Sequence, residues 1–408
     1  MSDAKKQDTE PVGAAASEIE VDVTALAAGG DGVARDADGR VTFVPRSAPG
    51  DRVRVRIVKA TKSFARGEVV DIVQASPSRV PPPCEYFVAG CGGCQWQHVD
   101  RTAQLAAKHA LVAGALRKLP GLAIESVLAP APAYGWRRRA RFHVDRGRLG
   151  LYAYGSHDVI ATSHCPQLEP ALDVALGVVA SASPPDGEVA LLRGHRGEIV
   201  VGVERAWRGA AGLVGRAGIV GVIAGTAQHG ETVIEIEPGL VGGPWQFAQA
   251  SAAGNAALIA AVRGAIGSGL GDAPGTRRRL LELHAGAGNF TRGFVADGWD
   301  VIASDAAQPV QASDGARFEV GSAERVLAAI AGPFDAIVLD PPRTGALEAM
   351  AGIARHAPPV VVYVSCDPAT LARDALRLVE AGYRADRAWP LDLMPQTSHV
   401  EVVLRMVH

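Results

Sequence analysis

The 408-residue chain predicts an α/β architecture, with a doubly wound, mostly parallel sheet in its C-terminal part and two β-rich regions ahead of it. Three observations predict it. From residue 280 onward the short apolar runs LLEL, DVIASD, ARFEV, FDAIVLD, VVVYVSC and HVEVVLRMV alternate with helical or loop segments, the rhythm of a sheet covered on both faces. Over 18–76, EIEVDVTAL, RVTFVP, DRVRVRIVKA and ARGEVVDIV alternate apolar with polar residues, separated by GGDGVARDADG and SAPGD turns, which suits a five-stranded barrel. Residues 134–240 are again β-like, in RARFHVD, RLGLYAYG and EVALLRGHRGEIVVGVE.

Composition sets the outer bounds. With 48% apolar and 21% charged residues, the chain is not mainly disordered. No stretch approaches the roughly 20 apolar residues of a membrane span. Residues 1–17 are polar and lack a secretory signal's apolar core, so they read as a loose tail on a cytoplasmic protein without a membrane partner. Net charge is only −2, yet Arg46–Arg66 holds seven basic residues against Asp51, and Arg137–Arg148 six against Asp145. Such blocks suit a localised phosphate contact or a pair of solvated strand faces. Within VRVRIV, Arg54 and Arg56 share one strand face with Arg52, which predicts a basic outer face on the barrel.

Between these regions, SPSRVPPPC (76–84) interrupts regular structure, VDRTAQLAAKHALVAGALRKL (99–119) has helical spacing, and GSGLGDAPGT punctuates the chain before the last domain.

The chemistry-bearing residues of the C-terminal part fall at strand ends, where doubly wound sheets bind ligands. In LLELHAGAGNF, Gly286 and Gly288 allow close backbone approach to a nucleotide-like cofactor, although the third glycine of the dinucleotide fingerprint is missing. Asp305 ends the next strand, placed to accept hydrogen bonds from a ribose; S-adenosylmethionine and a dinucleotide fit equally. Asp340 is delivered by FDAIVLDPPR into a loop stiffened by two prolines. Cys366 follows a six-residue β run beside a helix N-terminus, which favours a thiolate. Glu401 enters a largely apolar final strand, costly for a carboxylate without a partner or a task. Upstream, Cys84, Cys91 and Cys94 (C-x6-CGGC) with Cys165 (HCPQL) form a thiolate set that suits a cubane cluster or an all-thiolate zinc site, and its spacing is not that of a zinc ribbon. The aromatics and guanidiniums of Tyr134–Arg139 suit base stacking and phosphate contact.

GNFT, DPPR, SCDPATLARD and HVE, in this order, resemble the bacterial RNA uracil-C5 methyltransferases. The resemblance spans nearly all of 18–408. It implies a TRAM-like RNA-binding barrel (18–76), a central iron–sulfur and RNA-binding domain (77–245, with helix 99–119 packing on the catalytic domain) and a Rossmann-like S-adenosylmethionine-dependent domain (246–408). It also implies Cys366 as the nucleophile adding at uracil C6, Glu401 as the base that removes the C5 proton, and Asp340 beside target base and cofactor. Cofactor contacts carried over are Gln249 of WQFAQAS, His284, Gly286, Asn289, Asp305, Ser322 and Asp340. Ser251 replaces the family's asparagine, and His284 and Ser322 depart from its usual residues. For the four cysteines the resemblance selects [4Fe-4S]. The expected enzyme is a monomer acting on 23S ribosomal RNA, with tRNA methylation, or a non-catalytic RNA-binding or folding factor, as alternatives.

Overall fold

The computed structural model describes residues 17–267, 277–311 and 313–408. The tail expected over 1–17 lies outside them up to residue 16, and so does most of the GSGLGDAPGT stretch. The chain divides into two compact units. One comprises the chain to Phe87 with Cys94–Ala107 and Gln396–Ser398; the other comprises Val88–Gly93, Lys108–Pro395 and His399–His408. Among the described residues no helix is long and apolar enough to cross a membrane.

The first unit is built on a closed barrel whose strands run in the order Glu18–Leu26, Gly32–Arg35, Val41–Val44, Phe64–Gln74, Arg52–Ala60. Alternation puts Val21, Val23, Val53 and Val55 inside with Ala34 and Val44. Two expectations need correction. Gly32–Arg35, read from the sequence as turn, is a strand, because it pairs with Glu18–Leu26 and Val41–Val44 on either side. The expected basic outer face is largely neutralised. Arg52, Arg54 and Arg56 do point outward, but each meets a carboxylate from an adjacent strand: Asp22 at 2.8 Å, Asp71 at 2.9 Å and Glu18 at 3.3 Å.

The second unit contains two large sheets. The central one has seven strands between 139 and 230, and helix Pro170–Ser181 buries Leu172, Leu176 and Val179 against its Phe142, Leu191 and Val201. The other has eight strands, in the order Arg317–Val320, Asp300–Asp305, Arg279–Leu283, Ala336–Leu339, Val360–Ser365, Glu401–Val407, Arg384–Leu391, Ala123–Ile124. The first five are parallel, and Glu401–Val407 runs antiparallel between two neighbours. Ala336–Leu339 and Val360–Ser365 are buried along their whole length. Val361 and Tyr363 pack into one core layer, while Val360, Val362 and Val364 pack into the opposite one. That two-sided burial explains why these strands read as unbroken apolar runs rather than as alternation.

Helix Arg101–Leu116 adds Val112 and Leu116 to the first of these layers. From the same helix Lys108, fully buried, makes an ion pair with fully buried Asp392 and donates to the Met394 carbonyl at 3.2 Å.

Candidate active site

The site residues are gathered by strand register. Ser365 faces Val402, so the next residue along each strand brings Cys366 and Glu401 to the same edge. Leu339 faces Tyr363, and Asp340 extends its strand to that edge too. Leu283 lies between Leu339 and Ser304, which puts His284 and Asp305 next in line.

The site is crowded and acidic, with the guanidinium of Arg343 acting on both Glu401 and Cys366. Burial pushes the Glu401 carboxyl well above its ordinary range; the charge of Asp340 adds to the rise and Arg343 opposes it. Burial likewise pushes Asp340 up to about 7. Two carboxyls this close in a low-dielectric pocket resist ionising together. The Cys366 thiol is also raised, by burial first and then by Glu401, whereas the positive charge of Arg343 pulls its pKa down. The sequence credits the following helix N-terminus with favouring a thiolate, and the structure corrects this. Asp367 caps helix Pro368–Glu380, accepting from the Ala369 and Thr370 amides at 2.9 and 3.0 Å, so those amides are already engaged. Arg343 takes over the task. Replacing it (Arg343→Gln) raises the thiol pKa, so alkylation of Cys366 by iodoacetamide at pH 8 slows about threefold per unit of rise, the loss of thiolate being partly offset by its greater nucleophilicity. Peptide mapping of the alkylated protein checks this; equal or faster labelling overturns it.

Arg343 is held on both sides. Its Nη2 donates to a ring nitrogen of His399 at 3.2 Å. Burial lowers the His399 pKa to about 4, helped by Arg343, Lys108 and Arg137, so the neutral ring can accept that bond. The loop that follows Arg343 is bolted down by fully buried Asp374, which accepts the Ala346 amide and the Tyr363 hydroxyl, both at 2.7 Å. Gly345, at φ +78°, passes so near that a Cβ there would lie 2.4 Å from the Asp374 carboxylate.

The loop after Arg279–Leu283 bends back through left-handed backbone at His284 (φ 58°), Gly286 (φ 57°) and Gly288 (φ 86°). A Cβ on Gly288 would lie 2.5 Å from Ser313 Oγ, whereas one on Gly286 would meet nothing within 4 Å, which leaves open space beside the backbone. The Gly286 amide donates to Asp305 Oδ2 at 2.8 Å, fixing the carboxylate at the mouth of that space. Burial lowers the His284 pKa, with Asp305 and Glu324 opposing. Asn289 forms a reciprocal amide pair with Asn255, at 2.8 and 2.9 Å. Gln249 is half-buried, and its carbonyl accepts Arg138 Nε at 3.1 Å. Ser251 caps helix Ala252–Gly267 through the Gly254 amide at 3.0 Å. Ser322 is exposed, and its hydroxyl makes no cap bond at helix Ala323–Ala329.

Three contributors carry no role in the sequence reading. Arg343 and His399 stand inside the quoted DPPR and HVE motifs without one. Glu282 is buried, with Thr291 donating to Oε2 at 2.6 Å and Oε1 unpartnered among the described residues. Burial pushes it up to about 8 against that bond, with Asp340 and Asp305 adding to the rise, so it is a neutral acid at pH 7. Its one sequence signal is an acid within the apolar run LLEL.

Of the four upstream cysteines, Cys91 and Cys94 are buried, and Cys84 and Cys165 half-buried. The Gly93 amide donates to Cys91 Sγ at 3.4 Å, and the Cys165 amide to Asp173 at 2.6 Å. Among the described residues no three His, Cys, Asp or Glu side chains form a group able to hold a metal ion.

The TRAM domain family matches residues 16–70, and the family tRNA (Uracil-5-)-methyltransferase matches residues 327–407, which contain Asp340, Cys366 and Glu401. The chain is 34% identical to the 23S rRNA (uracil(1939)-C(5))-methyltransferase RlmD of Halomonas elongata, across 95% of this chain and 89% of that protein. It belongs to the RNA uracil-C5 methyltransferase family. The RlmD of Pseudomonas putida is 33% identical over 94% of this chain and 92% of its own length. In fold the methyltransferase is similar to the Pyrococcus abyssi tRNA (uracil-54, C5)-methyltransferase solved with S-adenosyl-L-homocysteine, at a TM-score of 0.74 and 22% identity, covering 95% of this chain and all of that one. The eight-stranded sheet is thus the S-adenosylmethionine-dependent methyltransferase sheet, and RNA is the methyl acceptor.

Proposed function

We propose that this enzyme methylates C5 of one uridine in 23S ribosomal RNA, with Cys366 as nucleophile and Glu401 as base. The observation that carries the assignment is the register that sets thiol and carboxyl side by side at the sheet edge, with the charge of Arg343 acting on the thiol. C5 of uracil is too poor a nucleophile to take a methyl group unaided. Addition of Cys366 sulfur to C6 moves an electron pair toward C5 and O4. S-adenosylmethionine supplies the electrophilic methyl group that C5 then attacks. Glu401 removes the C5 proton, the electron pair re-forms the C5–C6 double bond, and Cys366 leaves as thiolate. A carboxyl raised by burial is the stronger base once ionised, which suits that proton transfer. Asp340 faces the same pocket and orients the base and cofactor.

For the cofactor the loop fits: the open space at Gly286 and the fixed Asp305 carboxylate suit an adenosine and its ribose. Gln249, His284, Asn289, Ser322 and Asp340 complete the proposed contact set, with Asn255 holding Asn289 in place. The ribosomal substrate rests on the likeness to the two RlmD proteins along nearly their whole length. The enzyme is proposed to act as a monomer. Mapping 5-methyluridine in total RNA from a deletion strain tests the substrate: loss at one 23S position is expected, and loss in tRNA instead would overturn it.

Cys84, Cys91, Cys94 and Cys165 are proposed as the ligands of a [4Fe-4S] cluster. The donor chemistry fits, since all four side chains can offer a thiolate sulfur and Cys91 accepts a backbone amide, as cluster sulfurs do. Methyl transfer needs no electron, so such a cluster would brace the RNA-binding part of the chain. Protein purified without oxygen is expected to be brown with about four irons per chain; colourless, zinc-loaded protein overturns the assignment.

A further inference from the structure

The outer face of the central sheet carries a row of cations that the chemistry above does not use. Strand Arg139–Asp145 sends Ala140, Phe142 and Val144 into the core and leaves Arg139, Arg141 and His143 on its other face. Arg137 precedes them at the same two-residue spacing. The three guanidiniums act on one another: burial and the charges of Arg141 and Arg137 lower the Arg139 pKa. The charge of Arg137 also acts on His399, the residue to which Arg343 donates.

Two features distinguish it from a solvated basic strand. Arg137 and Arg139 have no carboxylate within ion-pair distance among the described residues, and the Nε of each is buried without a hydrogen-bond partner. The barrel arginines, by contrast, are each neutralised. Aromatic rings also lie beside the cations: Trp136 with Arg137 at 4.8 Å, Phe247 with Arg139 at 5.6 Å and Trp245 with Arg141 at 5.7 Å. These rings help hold the guanidiniums in place. Beyond them His143 stacks on Tyr152, with centroids 3.9 Å apart and planes 13° from parallel. Arg141 is the partly compensated member, sharing Glu188 at 3.3 Å.

We propose that this row is the track for the single-stranded RNA that adjoins the target uridine. The proposal rests on the RNA methyltransferase reading and extends it to a substrate path. Alternate residues on a strand are about 6.8 Å apart, comparable to neighbouring phosphates of an extended single strand. Arg139 and Arg141 are therefore spaced to contact successive phosphates, Arg137 just ahead of the strand adds a third cation, and the His143–Tyr152 pair offers a stacking surface at the far end. Contact with phosphate would neutralise Arg137 and Arg139.

The test titrates the full-length protein with a labelled 23S-derived stem–loop carrying the target uridine and a single-stranded flank, over a range of salt concentrations. Arg139→Gln and Arg141→Gln are each expected to raise the dissociation constant severalfold. Each should also lower the slope of log affinity against log salt by about 0.7, the value for one lost single-strand phosphate contact. The kinetic loss should fall on KM for RNA rather than on kcat. Glu188→Gln, which frees Arg141, should tighten binding. Should both arginine variants keep the wild-type affinity and salt slope while still methylating the RNA, the track is wrong and the enzyme reading stands. Equal losses on a fully duplex RNA would overturn the single-strand assignment. If the wild-type protein transfers no methyl group to any RNA, the reading beneath the track fails instead.

Discussion

Replacing Cys366 by serine is expected to cut methyl transfer to RNA by on the order of 10⁴-fold or more, with RNA binding retained. Serine keeps the size of the side chain and its place after Val360–Ser365, so the sheet edge is undisturbed. What it removes is a group that can ionise. Burial and Glu401 already hold the thiol above its ordinary pKa, and only Arg343 pulls the other way. A hydroxyl, which is far less acidic, gains no useful alkoxide in that setting. Without addition at C6 the ring carbon stays inert, and no other group at the edge can substitute. Transfer of labelled methyl groups to RNA reads the result. Product formation at the wild-type rate would remove covalent catalysis from the mechanism.

Glu401→Gln is the second large effect. Turnover should fall by about 10²–10⁴-fold, and enzyme should accumulate covalently bound to methylated RNA. Addition and methyl transfer proceed without the base, whereas release of the sulfur requires loss of the C5 proton. The species is a slow-migrating band on a denaturing gel that disappears on RNase treatment. Glutamine also removes one of the charges that raises the thiol, so Cys366 should add at least as readily as in the wild type. A variant that turns over at full rate and leaves no adduct would show that the proton goes elsewhere.

Much of this edge was legible in the sequence, because a buried parallel strand is an apolar run and its last polar residue marks the ligand side. Asp305, Asp340 and Cys366 stand out on that ground alone. Glu401 stood out only as an acid in an apolar strand; its place opposite Cys366 depends on the antiparallel register with Val360–Ser365, which no local pattern encodes. Other misses have the same origin. The arginines of the barrel meet Asp22, Asp71 and Glu18, which lie 30, 17 and 38 residues away in sequence. The Asn255–Asn289 pair spans 34 residues. One miss was local: Asp367 is the residue after Cys366 and precedes Pro368, a helix-capping arrangement that already predicts where the first amides go.

The sealed contact between Lys108 and Asp392 sets how the enzyme can be cut. A fragment beginning at 246 would keep every proposed catalytic residue yet lose Lys108, the fully buried cation paired with Asp392, and removing one partner of a buried ion pair costs about 3–5 kcal/mol. It would also bare the flank of Arg384–Leu391 that Ala123–Ile124 covers. The transferase half has therefore lost its independence as a folding piece, and swapping its recognition modules in the laboratory must carry the 101–128 stretch along with it.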